Sequence, residues 1–270
     1  MTDATAEPLP GFLSDTTAVR AECASFVRST VAAADAEGVV IGLDGGLEST
    51  VAATVAVEAL GSGAVAGLVL PSSKIGSRSA QDAEAVADVL GIETETVHLQ
   101  QLLLCFGELA PHTDLHGDPI VREALVERLR MTMLYLAADA TNRLVLGTTT
   151  RTERLLGSFT THGDGAADLR PLGHLYRTEL ETLAEDLEIP AFVTETPAAT
   201  GFYPGRSHTH DLDASAETID SILQRFVEVG ESPQRIAETL DVDSETIDQV
   251  LTRHEVTEDK RHRPPTPVDG

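Results

Sequence analysis

Short apolar runs alternate along this chain with longer stretches of helical period. Val39, Val40, Ile41 and Leu43 form a first run, Ala64 to Leu70 a second that Pro71 ends, and Leu144, Val145 and Leu146 another, while the more polar Thr94 to Leu99 reads as the third of four strands. Runs of this length bounded by glycine or proline are expected to be strands buried on both faces. Between them, 51–60, 79–90 and 119–140 repeat apolar or small residues at helical spacing and are expected to be helices. Val19, Cys23, Phe26, Val27 and Val31 give 16–34 the same period ahead of the first strand, and 178–187 resumes it after the fourth. In the long helix Leu125, Leu129, Met133, Leu134 and Leu136 are assigned inward, with Arg128 and Arg130 facing elsewhere. Residues 101–118 lack a clean period and are expected to be irregular, with a turn at 111–117.

Strands and helices alternating through short joints predict an α/β fold, a doubly wound parallel sheet with helices on both faces. Ligands of such sheets sit beyond the carboxyl ends of the strands. The expected division is a 1–15 entry segment, a 16–215 sheet domain, a 216–258 helical extension and a 259–270 charged, proline-rich tail. The extension holds three helical pieces, 216–229, 233–240 and 244–254. The last two have the length and turn of a helix-turn-helix, but Glu238, Asp241, Asp243, Glu245 and Asp248 would repel phosphates, so a packing bundle is the better reading.

The stretch 38–61 concentrates the candidate chemistry. Its apolar strand runs into Asp44-Gly45-Gly46-Leu47-Glu48-Ser49 and then into a helix. Glycines that turn the backbone at a helix start leave amides and the positive end of a helix dipole aimed at one place, which suits phosphate or pyrophosphate. An ordinary strand–turn–helix joint has the same composition, and both readings stand. Asp44 and Glu48 bring negative charge to that corner, so a phosphate there calls for a divalent cation, with magnesium the economical choice. The fourth strand delivers 147–153, GTTTRTE, to the same rim. The 157–178 stretch is polar and glycine-rich but anchored by Phe159, Leu169, Leu172 and Leu175, as a structured loop over a pocket would be.

Composition narrows the setting. The 270 residues carry 19 Lys plus Arg against 44 Asp plus Glu, a net charge of -25. That balance argues against nucleic acid and anionic membranes as partners. It suits a salt-rich cytoplasm, where such a surface stays hydrated and its self-repulsion is screened. No stretch has the length of a membrane span and no basic-then-apolar leader opens the chain. Cys23 and Cys105 lie in no metal or redox motif and are expected to be small buried side chains of a reducing compartment.

With those pieces assembled, the sequence resembles the ammonia-dependent NAD synthetases of the ATP-pyrophosphatase group, whose nucleotide loop reads SGGxDS where this chain has DGGLES. RLRM at 128–131, LVLGTTTRTE at 144–153, FTTHGDGAADLRPLGHLYRTEL at 159–180, ETPAATGFYPG at 195–205 and KRHRPP at 260–265 match family blocks in order. The resemblance spans 17–265 and implies an adenine nucleotide alpha-hydrolase-like fold. It implies ATP-dependent amidation of deamido-NAD by ammonia through an adenylated carboxyl, with ATP and Mg2+ required and a homodimer as the assembly. By the family pattern Gly45, Gly46 and Ser49 hold the ATP phosphates and Glu48 and Glu153 the magnesium, while Thr148 lies beside the reacting phosphate and Arg128 on the nucleotide. Asp168, Arg177, Lys260 and Arg261 are implied to contact the dinucleotide.

The departures from that pattern fall on the pocket wall. Asp44 stands for the first loop serine, Glu48 for an aspartate, Thr150 for an asparagine, His162 for a tyrosine, His174 for an aspartate and Arg177 for a lysine. They leave open a paralogue with another substrate, or an inactive dimeric scaffold. His208, His210 and Asp211 form an H-x-H-D cluster that a transition metal could use, though solvated histidines of an acidic loop are the commoner outcome. No amidase segment is evident, so free ammonium or an external donor is implied.

Overall fold

A computed structural model describes residues 15–72, 77–110, 112–113, 115, 117–194, 212 and 214–262. The 195–205 block, His208, His210, Asp211 and the end of the KRHRPP block lie outside them, as do most of the entry segment and of the 259–270 tail.

Among the described residues four parallel strands, β1 (Gly38–Leu43), β2 (Val65–Val69), β3 (Glu93–Thr96) and β4 (Arg143–Leu146), form one sheet in the order β3-β2-β1-β4. Val40 lies between Ala66 and Val145, so the centre of the sheet is aliphatic on both sides. β1 runs out to β2 on one side and, much later in the chain, receives β4 on the other. That change of direction opens a crevice beyond the carboxyl ends of β1 and β4.

The helices are α1 (Thr16–Ala33), α2 (Leu47–Leu60), α3 (Ser77–Leu90), α4 (Gln100–Leu109), α5 (Pro119–Thr141), α6 (Arg151–Leu156), α7 (Arg177–Asp186), α8 (Ala191–Thr194), α9 (Ala216–Gln224), α10 (Pro233–Leu240) and α11 (Ser244–Val256). One face of the sheet is covered by α1, α2, α3 and α7, whose Val27, Val51, Val55, Val86 and Leu183 pack on Val39, Ile41 and Val69. The other carries α5, with Val126, Leu129, Met131 and Leu134 on Val40, Leu68 and Val145. A third core joins α9, α10 and α11 through Ile219, Ile222, Ile236 and Val250 to Leu156 and Tyr176. The doubly wound architecture and the helical extension are as expected from the sequence.

Local chemistry sets the ends. Asp15 accepts from Ala18 N and starts α1, while Asp118 accepts from Ile120 N and Val121 N ahead of Pro119 and starts α5. Asn142, left-handed at φ 51°, ends α5.

Four expectations change. Residues 100–109 are helix α4 rather than irregular; Leu102-Leu103-Leu104 is apolar without a stripe, so the pattern hides the helix. On α5 Leu136 is 62% exposed and Met131 takes the inward place. Arg130 is also turned inward, donating to Glu127 and to Leu70 O. Cys105 is exposed on α4, whereas Cys23 is buried, its thiol donating to Pro171 O at 3.4 Å and pushed up to about 12 by burial.

Candidate functional site

The rim beyond β1 and β4 gathers the two loops singled out by sequence. After β1 the chain passes through Gly45, at φ +76°, and enters α2 at Leu47. Only glycine suits Gly45, since a Cβ would lie 2.9 Å from Ser79 O and from Asp82 Cβ. Gly46 is the N-cap and contributes no side-chain bond. Asp44 fills that role from two residues upstream: Gly46 N donates to its Oδ1 at 2.9 Å and Ser49 Oγ donates to the same oxygen at 2.5 Å. Two of the donors assigned to phosphate therefore bind the loop's own carboxylate.

After β4, Thr150 caps the short helix α6, accepting from Glu153 N at 3.3 Å, while Glu153 Oε2 accepts from Thr150 N at 2.8 Å and Thr150 Oγ1 at 3.0 Å. Thr148 is half-buried just ahead of this box. Arg151 pairs with Glu228 at 3.0 Å and lies 5.5 Å over the ring of Tyr176, whose hydroxyl also donates to Glu228.

The two loops are joined by α7. Arg177 N donates to Thr152 Oγ1 at 2.8 Å, and Thr152 Oγ1 donates to Asp220 Oδ1 at 2.5 Å. Asp220, fully buried on α9, also accepts from Thr178 N and Thr178 Oγ1, so the helical extension caps the start of α7 together with that helix's own Glu179, which accepts from Tyr176 N at 2.8 Å. Burial pushes the Asp220 carboxyl up, while these donors pull it back down. The Arg177 guanidinium contacts Glu48 through Nη1 and Glu181 through Nε at 2.8 Å. Burial alone would lower its pKa; the charges of Glu48, Glu181 and Glu153 and the hydrogen bond to Glu181 outweigh that and raise it.

Three assigned residues turn out to hold the frame. Asp168 accepts from Tyr135 Oη at 2.9 Å and from Val145 N at 2.8 Å, which ties the 157–176 loop to β4. Lys260 donates to Gly157 O and Phe159 O and sits 5.6 Å over the Phe159 ring. Arg261 donates to Leu155 O and His254 O, and Arg253 to Leu156 O. Together these cations cap the carbonyl end of α6. Arg128 is exposed on α5, and His162 and His174 are exposed as well.

Asp220 and Glu127 both escaped the sequence reading. Glu127, packed under Gly163, is raised by burial and by the charges of Asp164 and Asp44, against the pull of Arg130. Its helical position gave no hint, because the loop that covers it lies over 30 residues away in sequence and folds back on α5.

Glu48 and Glu153 as placed do not fit a magnesium ion. A magnesium ion binds through one or two carboxylates together with waters and substrate phosphates, but here Glu48 already meets a guanidinium and Glu153 spends Oε2 on Thr150. No three acidic, histidine or cysteine side chains come together for a metal among the described residues.

A family model described as NAD synthase matches residues 19–264. An NH3-dependent NAD(+) synthetase of Methanosarcina mazei is 37% identical over 244 residues, covering 90% of this chain and 94% of that protein. A protein of the same description from Halobacterium salinarum is 35% identical over 244 residues, covering 90% of each chain. A solved structure described as NMN synthetase from Francisella tularensis superposes with a TM-score of 0.81 at 28% identity, covering 94% of this chain and 99% of that one.

Proposed function

Because the chain belongs to the NAD synthase family, we propose that it amidates deamido-NAD to NAD with ammonia at the expense of ATP. A carboxylate is a poor target for an amine, so the reaction takes two steps. The nicotinate carboxylate attacks the α-phosphorus of ATP, an O–P bond forms and pyrophosphate leaves. Ammonia then attacks the acyl carbon, the C–N bond forms, the C–O bond breaks, AMP leaves and a proton is released. No side chain need become covalently attached, and the protein's part is placement and charge neutralisation.

The observation that supports this reading most is the match over 19–264 to a family whose named relatives share most of their length with this chain. In this reading Gly45, Gly46 and Ser49 face the phosphates, with Asp44 giving up its bonds as they arrive. Thr148 lies beside the reacting phosphate, Arg177 faces the dinucleotide, and Arg128 reaches the nucleotide from α5. Asp168, Lys260 and Arg261 act by holding the 157–176 loop in shape over the dinucleotide. Among the described residues no helix is long and apolar enough to cross a membrane, and we place the enzyme in a salt-rich cytoplasm, away from nucleic acid. Leu104, Leu109, Ile120 and Leu136, exposed on α4 and α5, are the surface on which a second copy docks to make a homodimer.

The test is an assay with ATP, magnesium, deamido-NAD and ammonium in molar KCl, following pyrophosphate and NAD together. Formation of both is expected. Nicotinate mononucleotide in place of deamido-NAD probes the activity in the name of the Francisella protein; turnover of it alone would replace the dinucleotide as substrate. Failure to release pyrophosphate with either acid would leave a family member that Asp44 has closed to ATP.

A further inference from the structure

Two carboxylates that the family resemblance pairs as ligands of a divalent cation face a cation that the chain supplies itself. Glu48 stands in the first turn of α2 and Glu153 in the first turn of α6, brought to one rim by the adjacent strands β1 and β4. Between those helices comes the start of α7, fixed there by Arg177 N on Thr152 Oγ1 and by Thr178 N on Asp220. The Arg177 side chain contacts Glu48, is braced from its own helix by Glu181 at 2.8 Å, and feels the charge of Glu153. Side-chain exposures of 17% for Arg177 and 21% for Glu48 set this apart from a mobile surface ion pair.

We propose that Arg177 is the resident cation of the Glu48–Glu153 corner, in the place of a protein-held divalent ion. A guanidinium keeps its charge at every working pH and presents N–H donors in a rigid plane, so it neutralises carboxylates without needing an octahedron of oxygens. Bringing a metal ion to Glu48 would require first moving a half-buried arginine whose helix end is anchored at two points. The partial neutralisation of Glu48 is then built into the fold and does not depend on the metal concentration, although one guanidinium among Glu48, Glu181 and Glu153 leaves the corner net negative. The proposal rests on the NAD synthase reading for its choice of carboxylates, but its test needs no substrate.

The measurement is Mn2+ binding by electron paramagnetic resonance of the unbound ion, on the full chain in molar KCl without nucleotide. Unaltered protein is expected to hold no Mn2+ at this corner, so Glu48→Gln leaves its Mn2+ stoichiometry unchanged. Arg177→Gln is expected to gain one Mn2+ per chain, and Arg177→Gln with Glu48→Gln to lose that gain. Loss of a bound Mn2+ on Glu48→Gln alone would overturn the proposal, and this arm stands even if the Arg177 variants fail to fold. Equal Mn2+ binding by the unaltered chain and a folded Arg177→Gln would overturn it too. A chain that passes this test yet makes no NAD would remove the reaction and leave the cation assignment intact.

Discussion

Asp44 commits one carboxylate oxygen to Gly46 N and Ser49 Oγ, the donors nearest to where a pyrophosphate would lie. An incoming phosphate must break those bonds and then face the charge: at an effective dielectric of about 20, two unit charges about 4 Å apart interact by about 4 kcal/mol. Asp44→Ser removes the charge and releases the Gly46 amide, so ATP binding is expected to tighten by about tenfold or more, about 1.4 kcal/mol. Calorimetric titration of ATP at saturating magnesium reads this directly, and equal or weaker binding by the variant would remove Asp44 as the handicap. The glycines and the acid were visible in the sequence because they are consecutive. Their bonding was not, since a carboxylate two residues before a glycine can as well reach solvent or a metal ion. The Arg177–Glu48 pair was still less legible: its partners are 129 residues apart and meet only because α7 returns to the rim of β1.

Among elements, α6 shows how a short helix is held. It begins in the Thr150–Glu153 capping box and ends at Gly157, which is left-handed at φ +62°. A Cβ on Gly157 would meet Thr257 Cβ at 2.3 Å, at the end of α11, where Arg253, Lys260 and Arg261 grip the α6 carbonyls. Gly157→Ala adds a steric conflict to a backbone strain of about 1 kcal/mol, for a total cost of about 3 kcal/mol. At about 2–4 °C per kcal/mol for a chain of this size, the melting temperature falls by about 6–12 °C. Gly230 is the control, because it is left-handed like Gly157, at φ +74° and ψ 27°, with nothing within 4 Å of a Cβ, so Gly230→Ala pays the strain alone. Equal shifts for the two variants would show that α11 does not press on α6. Such helix ends explain what was readable in the chain. Ser232-Pro233 and Asp243 announce α10 and α11 as caps, and glycine and proline bound the strands. By contrast, Leu99 ahead of α4 makes no side-chain cap bond, and on α7 the Thr178 amide is held by Asp220 from another element.

For the whole molecule, charge and apolar surface act against each other. With a net charge of -25, two copies approaching each other repel, while Leu104, Leu109, Ile120 and Leu136 leave apolar area on α4 and α5 that water disfavours. Salt changes only the first term appreciably at modest concentration: the screening length falls from about 10 Å at 0.1 M to about 3 Å at 1 M, shorter than the spacing of most surface charges. Association into the proposed homodimer is therefore expected to strengthen as KCl rises over that range, the reverse of an interface held by opposite charges. Sedimentation velocity at fixed protein concentration measures it, with the dimer fraction increasing towards molar KCl. Leu104→Glu with Leu109→Glu places two charges in the apolar surface while sparing the rim of β1 and β4, and this variant is expected to stay monomeric at every salt concentration. A dimer that weakens with added salt, or one that survives both glutamates, would put the contact elsewhere on the molecule.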